Sequence, residues 1–146
     1  MAARATKFTN VTVTGNLTVG GSTILDGVAQ QSLAFAAGKQ LKLDAGTASA
    51  VAGAATVSKQ AGVVTSEALT TAAGATYTLT LTNTLVAATS IVLASVSDGT
   101  NSQGTLTVGK ITPGAGSVTI GVRNAHATEA LNGTIKIAFA VFNPSV

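Results

Sequence analysis

Cysteine is absent from this chain, so it forms no disulfide and offers no thiolate to a metal. A secreted domain of 146 residues does not require disulfides, so this absence leaves the compartment open. Charge is scarce: 9% of residues are Asp, Glu, Lys or Arg, against about 25% in an ordinary soluble domain. Aromatics make up 3%, with no Trp and one Tyr, Tyr77. Long apolar runs are missing too. The longest, Ile135–Phe142, is broken by Lys136 and falls far short of the ~18 residues that span a bilayer, so no membrane partner is expected. The opening MAARATKFTN carries basic residues with no apolar stretch behind them. It does not read as a signal peptide, and synthesis in the cytoplasm without export by the secretory route is expected.

The net charge of +3 is unevenly spread. Residues 1–60 hold Arg4, Lys7, Lys39, Lys42 and Lys59 against Asp26 and Asp44, whereas Lys110, Arg123 and Lys136 balance Glu67, Asp98 and Glu129 in the remainder. The cations are neither clustered nor interleaved with aromatics, so nucleic acid is not an expected partner. A surface with so little charge has weak repulsion against association. Partnership with itself or with a larger assembly follows.

What the chain does have is alternation. Thr76–Asn83 reads TYTLTLTN: Tyr77, Leu79 and Leu81 fall on one face of a strand and Thr76, Thr78, Thr80 and Thr82 on the other. The same texture recurs in Asn10–Val13, Asn16–Val19, Thr105–Val108, Ser117–Val122 and Thr134–Val141. The pattern predicts an all-β protein with strands at Ala55–Ser58, Gly62–Ser66, Thr76–Asn83, Ser90–Ser97, Gly104–Thr112, Gly116–Asn124 and Thr134–Phe142. Turn chemistry separates them. Asp98-Gly99 and Asn132-Gly133 suit positions of positive φ, and Pro113-Gly114 suits the centre of a type II turn. Strands at such spacing suggest a sandwich or jelly roll over residues 56–146. Its predicted core is Val57, Val64, Tyr77, Leu79, Leu81, Ile91, Leu93, Leu106, Val108, Val118, Ile120, Val122, Ile135, Ile137 and Phe139. No helix is expected beyond a single turn at Ser66–Ala73.

Residues 45–55, AGTASAVAGAA, are expected to be a linker or a close-packed crossing, because Gly46 and Gly53 weaken any regular element. The other reading is the start of a strand with small side chains against a neighbour. Residues 1–44 read as an arm of very short, Gly-punctuated β pieces that cannot enclose a core alone.

No constellation for chemistry emerges. His126 is the only histidine and Glu129 the only acid near it; a catalytic triad or a zinc site needs more. It reads as a loop histidine bonded to backbone. The five acids sit one per segment, with Asp26 and Asp98 placed before glycines as turn residues. No loop gathers the carboxylates that calcium requires, though a three-fold axis could unite three copies of one acid. Gly20-Gly21 lacks the Lys-Ser/Thr spacing of a phosphate loop. The Asn-x-Thr triplets at Asn10, Asn16 and Asn132 match glycosylation acceptors but read as strand starts and a turn. Carbohydrate recognition would use exposed aromatics, and Tyr77 and Phe139 both lie on apolar faces. No enzyme activity and no cofactor is expected.

Two segments carry a resemblance. Residues 10–27, NVTVTGNLTVGGSTILDG, look like the rung repeats of phage fibre and spike shafts, which also occur in bacterial adhesins. Within residues 48–146, ASAVAGAATVSKQAGVVTSEALTTAAGATYTLTLTN and PGAGSVTIGVRNAHATEALNGTIKIAFAVF are similar to a small β-domain of tailed-phage virion proteins, a likeness of pattern with no catalytic motif. The resemblance implies a trimeric, jelly-roll-like β-sandwich on the virion. It would serve as a capsid decoration (cement) protein bound to the major capsid protein of a phage head. The alternative is a short head or tail fibre whose tip binds a host surface. On the cement reading the arm clasps the capsid or a neighbouring subunit, with Arg4, Lys7, Lys39 and Lys42 as its charged contacts and Val11, Val13, Leu17, Val19, Ile24 and Leu25 as its apolar ones.

Overall fold

Side chains alternate faces along a strand, and nearly every strand here separates an apolar inner row from a small or polar outer one. The structure, a computed structural model, describes residues 41–144. Eight strands follow in order: β1 (Ala45–Ser49), β2 (Ala54–Thr56), β3 (Ala61–Thr65), β4 (Thr76–Thr82), β5 (Ile91–Asp98), β6 (Leu106–Gly114), β7 (Ser117–Asn124) and β8 (Ile135–Phe142). They make two four-stranded sheets, β1-β3-β8-β5 and β2-β4-β7-β6. Both are mixed. β1 runs parallel to β3 and β2 parallel to β4, while every other pair is antiparallel. The described residues contain no helix, hence none long and apolar enough to cross a membrane.

The two inner faces share one sandwich-like core. Leu79, Leu81, Ile120, Val122, Ile135 and Ile137 are fully buried, and burying one such side chain contributes about 1.5–3 kcal/mol. Gly62 is needed within it: a Cβ there would lie 2.8 Å from the Phe139 ring and 2.6 Å from the Gly46 carbonyl oxygen. Two buried asparagines close the ends. Asn124 Nδ2 donates to the carbonyls of Thr71 (3.2 Å) and Glu129 (2.7 Å), and its Oδ1 accepts from the amides of Thr105 (3.0 Å) and His126 (3.1 Å). Asn83 donates from Nδ2 to Lys59 O (2.8 Å) and accepts at Oδ1 from Leu85 N (2.9 Å). Each side chain thereby satisfies loop backbone that a sheet ladder does not reach.

Several expectations are corrected. Residues 45–55 are not a linker: Ala45–Ser49 is a strand of the first sheet, and Ala54 and Ala55 belong to a strand of the second. Only residues 50–53 cross between the sheets. There Ala52 and Gly53 take positive φ (49° and 75°), and a Cβ on Gly53 would press on the Thr78 carbonyl oxygen at 2.8 Å. Small side chains permit this tight passage as well as the strands beside it. Pro113-Gly114 is not a turn; both residues belong to β6, an edge strand, where proline leaves no central ladder bond unmade. The turn is Ala115-Gly116, with Gly116 at φ 75°.

The phase of β5 is the opposite of the one expected. Ile91 and Leu93 are 55% and 59% exposed, while Val92 is buried and Ala94 and Val96 pack on the core. The cause is pairing: Val92, Ala94 and Val96 stand opposite Val141, Phe139 and Ile137 on β8, whose inner row is fixed by its own alternation. Leu106 and Val108 are half-buried. Leu69, Val86 and Leu131, buried from the loops, were not expected in the core because no periodicity marks them.

Candidate functional site

The first sheet's outer face is graded from polar to apolar. Its register aligns Ser49, Thr65, Lys136 and Ser97 at one end, then Thr47, Val63, Ala138 and Ser95, then Ala45, Ala61, Ala140 and Leu93, and finally Phe142 with Ile91. Lys136 is the only charge in these rows. Large apolar side chains collect at the far end: Ile91, Leu93 and Phe142 are exposed on the sheet and Leu85 beside it. Leu43, Leu85 and Phe142 border a hollow of about 330 Å³ together with Gln60 and Asn143. Asn143 braces this end, donating from Nδ2 to Leu85 O at 2.9 Å and hydrogen-bonding Ser90 Oγ. At the rim Lys59 Nζ meets Asp44 Oδ2 at 2.8 Å.

The second sheet's outer face differs in kind. Thr76, Thr78, Thr80 and Thr82 line β4, opposite Arg123, Gly121, Thr119 and Ser117 of β7. On β6 the register shifts between Val108 and Ile111, which stand opposite Val122 and Ile120. Gly109 and Lys110 therefore oppose the single residue Gly121, a β-bulge. Strict alternation from Val108 without this register shift would turn Lys110 into the core and Ile111 outward. With it, Lys110 is exposed on the same face as Arg123, and Ile111 packs against the core. A groove of about 270 Å³ lies between them.

Elsewhere the ionisable groups serve the fold. Glu67 accepts the Gly53 amide on Oε1 (2.9 Å) and the Tyr77 hydroxyl on Oε2 (3.1 Å), tying down the crossing between sheets. Burial pushes the Tyr77 phenol well above its usual range, and the Glu67 charge and hydrogen bond add to the shift. Asp98 accepts from Asn101 Nδ2 at 2.8 Å where the chain bends after β5, but Gly99 does not take the positive φ expected of it. His126 is bonded to backbone as its sequence context suggested. Its Nδ1 accepts the amides of Thr128 (3.2 Å) and Glu129 (2.8 Å), and its Nε2 lies 3.7 Å from Glu129 Oε2. Among the described residues no group of three or more His, Asp or Glu is placed to hold a metal ion.

Of the contact residues named from sequence, Lys42 is exposed. Arg4, Lys7, Val11, Val13, Leu17, Val19, Ile24, Leu25 and Lys39 lie outside the described residues. Neither of these two surface features is legible in the sequence. The apolar end was hidden by the inverted phase of β5, and the groove by a bulge whose one signal is the Gly109-Lys110 pair interrupting an alternating strand. No protein-family model, no curated protein and no solved structure matches the chain.

Proposed function

We propose that the chain is a structural virion protein, a homotrimeric decoration protein whose jelly-roll-like domain braces a phage head without catalysis. The observation that carries this reading is the apolar end of the first sheet, where four of the six exposed large apolar side chains among the described residues collect: Leu85, Ile91, Leu93 and Phe142. Large contiguous apolar patches mark interaction surfaces, and this end is the contact between copies. The arm of residues 1–44, with its basic excess, is the contact with the major capsid protein. Ordering such an arm costs about 1–2 kcal/mol per residue in backbone entropy, so apolar burial must dominate, and salt weakens attachment only in part. Many repeated copies brace a shell by avidity.

Light scattering after size exclusion should give three times 14.2 kDa; a monomer at micromolar concentration overturns the trimer. Electron microscopy of virions should show an even coat over the head. Density confined to the tail or to one vertex would replace this reading with a fibre that binds a host surface. A chain lacking residues 1–44, added to particles without the protein, should fail to bind. Undiminished binding would move the anchor from the arm to the β-domain.

A further inference from the structure

We infer that the bulged groove on the outer face of the second sheet binds an acidic polysaccharide, with a carboxylate, sulfate or phosphate of the chain seated between Lys110 and Arg123. This inference is independent of where the protein sits on a particle. It starts from the bulge. The register shift that sets both Gly109 and Lys110 against Gly121 leaves Lys110 outward where strict alternation from Val108 would turn it inward, and bulges of this kind re-aim side chains next to functional sites. Arg123 lies two residues along β7 from Gly121, a rise of about 7 Å, so both cations reach one anionic group.

The floor between them is bare backbone. A Cβ on Gly121 would come within 3.3 Å of Thr76 Cγ2 and 3.4 Å of the Lys110 carbonyl oxygen, and one on Gly109 within 3.4 Å of the Gly121 carbonyl oxygen. Paired glycines inside strands weaken a sheet and mark places where a ligand or another backbone comes close. At Gly121 the backbone that comes close is that of Lys110 in the bulge, and around it Thr76, Thr78, Lys110 and Arg123 are exposed among the described residues.

Charge adds a second argument. The four acids among the described residues are engaged elsewhere: Asp44 with Lys59, Glu67 with Gly53 and Tyr77, Asp98 with Asn101, and Glu129 beside His126. Lys110 and Arg123 thus share an acid-free face and form no ion pair among the described residues. Two cations side by side raise the local potential and draw anions. Around them stand the hydroxyls of Thr76, Thr78, Thr112 and Thr119, each both donor and acceptor. A hydroxyl-lined, open and cationic groove matches a chain that is itself hydroxylated and anionic. Without an aromatic side chain in the lining to stack on a sugar ring, affinity comes from the charges and hydroxyls, and salt must weaken it.

The test uses full-length protein and immobilised dextran sulfate, with uncharged dextran and single-stranded polythymidine as further arms. Binding to dextran sulfate should fall at least tenfold in the Lys110→Gln/Arg123→Gln double variant and stay unchanged in Lys136→Gln, which removes a cation from the opposite sheet. Gly109→Ala, which keeps both cations but fills the floor, should lose severalfold. Uncharged dextran should not bind, and polythymidine should bind at least tenfold more weakly. Circular dichroism should confirm that each variant is folded. Wild-type affinity in the double variant overturns the site, because the basic residues of the arm then account for the binding. Unchanged affinity in Gly109→Ala overturns the built groove, and DNA binding as tight as dextran sulfate overturns the preference for a sugar chain.

Discussion

The two outer faces of the β-domain are built by the same alternation and end in opposite chemistry. On the second sheet the outer row is Thr on β4 and Thr, Gly and Arg on β7, a surface content to meet water. On the first sheet the outer row passes from Lys136 to Ala138, Ala140 and Phe142 along β8, beside Ser97, Ser95, Leu93 and Ile91 on β5. Sheets that keep one face wet normally show apolar-in and polar-out rows. The second sheet follows that rule on its outer face and the first abandons it toward one end. The proposed contact between copies falls on the first of these faces and the proposed ligand groove on the second.

The largest expected effect comes from reversing that contrast. Ile91→Asp/Leu93→Asp should turn the proposed trimer into a monomer by light scattering, since charges buried without partners at a contact are strongly unfavourable. The matching pair Thr78→Asp/Thr80→Asp should leave the oligomer intact. Both double variants change exposed positions, so urea midpoints taken below any dissociation should differ little from wild type, within about 0.5 kcal/mol per site. A trimer that survives charges at Ile91 and Leu93 would place the contact between copies elsewhere.

Next in size is Lys110→Ile/Ile111→Lys, which exchanges the two side chains beside the bulge. The register shift then turns the isoleucine outward and the lysine toward the core, opposite Ile120. A charge buried without a partner is strongly unfavourable, and the exchange should destabilise the domain by about 2 kcal/mol or more in urea unfolding. A loss below about 0.5 kcal/mol would mean that the register shift is not what sets the second face.

How far the sequence reveals these faces depends on the strand. Thr76–Thr82 alternates so strictly that β4 can be read outright, and Tyr77, Leu79 and Leu81 are buried as expected. β5 opens Ile-Val-Leu-Ala, apolar at four successive positions, so its phase is open until β8 pairs with it. Size then misleads, because the larger Ile91 and Leu93 face outward. Glycine and proline pairs were uneven guides: Gly99 and Gly133 stand at bends outside the strands but without the positive φ expected of them, and Pro113-Gly114 lies within an edge strand, which tolerates it. The roles of Glu67, Asn83 and Asn124 were not legible, since each bonds backbone far away in the chain. The groove depends on two strands meeting across a bulge, and no single stretch of sequence contains it.

The phase of β5 gives the third prediction. Val92→Ala should cost about 1–2 kcal/mol, from lost burial of two methyl groups and the cavity they leave. Leu93→Ala, the larger truncation, should cost under about 0.5 kcal/mol in the dissociated chain, because Leu93 is 59% exposed. Equal costs, or the reverse order, would restore the phase read from sequence and remove the apolar end with it.

The last prediction applies the same test of phase to the second sheet, through Tyr77. This residue stands between outward Thr76 and Thr78 and is 8% exposed. Burial, then the charge and hydrogen bond of Glu67, disfavour its phenolate. The folded state therefore holds this proton more tightly than the unfolded chain, whose tyrosine titrates near pH 10. The stabilising difference is fully present below about pH 10 and is lost as pH rises beyond it toward the higher folded value. With one Tyr and no Trp in the chain, absorbance near 295 nm (the usual tyrosinate band) reports this side chain alone. Its transition should begin well above pH 10 and coincide with loss of β-type circular dichroism. Tyr77→Phe should remove this contribution to the alkaline loss of stability and cost about 1 kcal/mol at neutral pH, the worth of one hydrogen bond. A tyrosinate signal rising near pH 10 in folded protein would mean that Tyr77 lies on the wet side of β4, and the Thr-coated face would have to be reassigned.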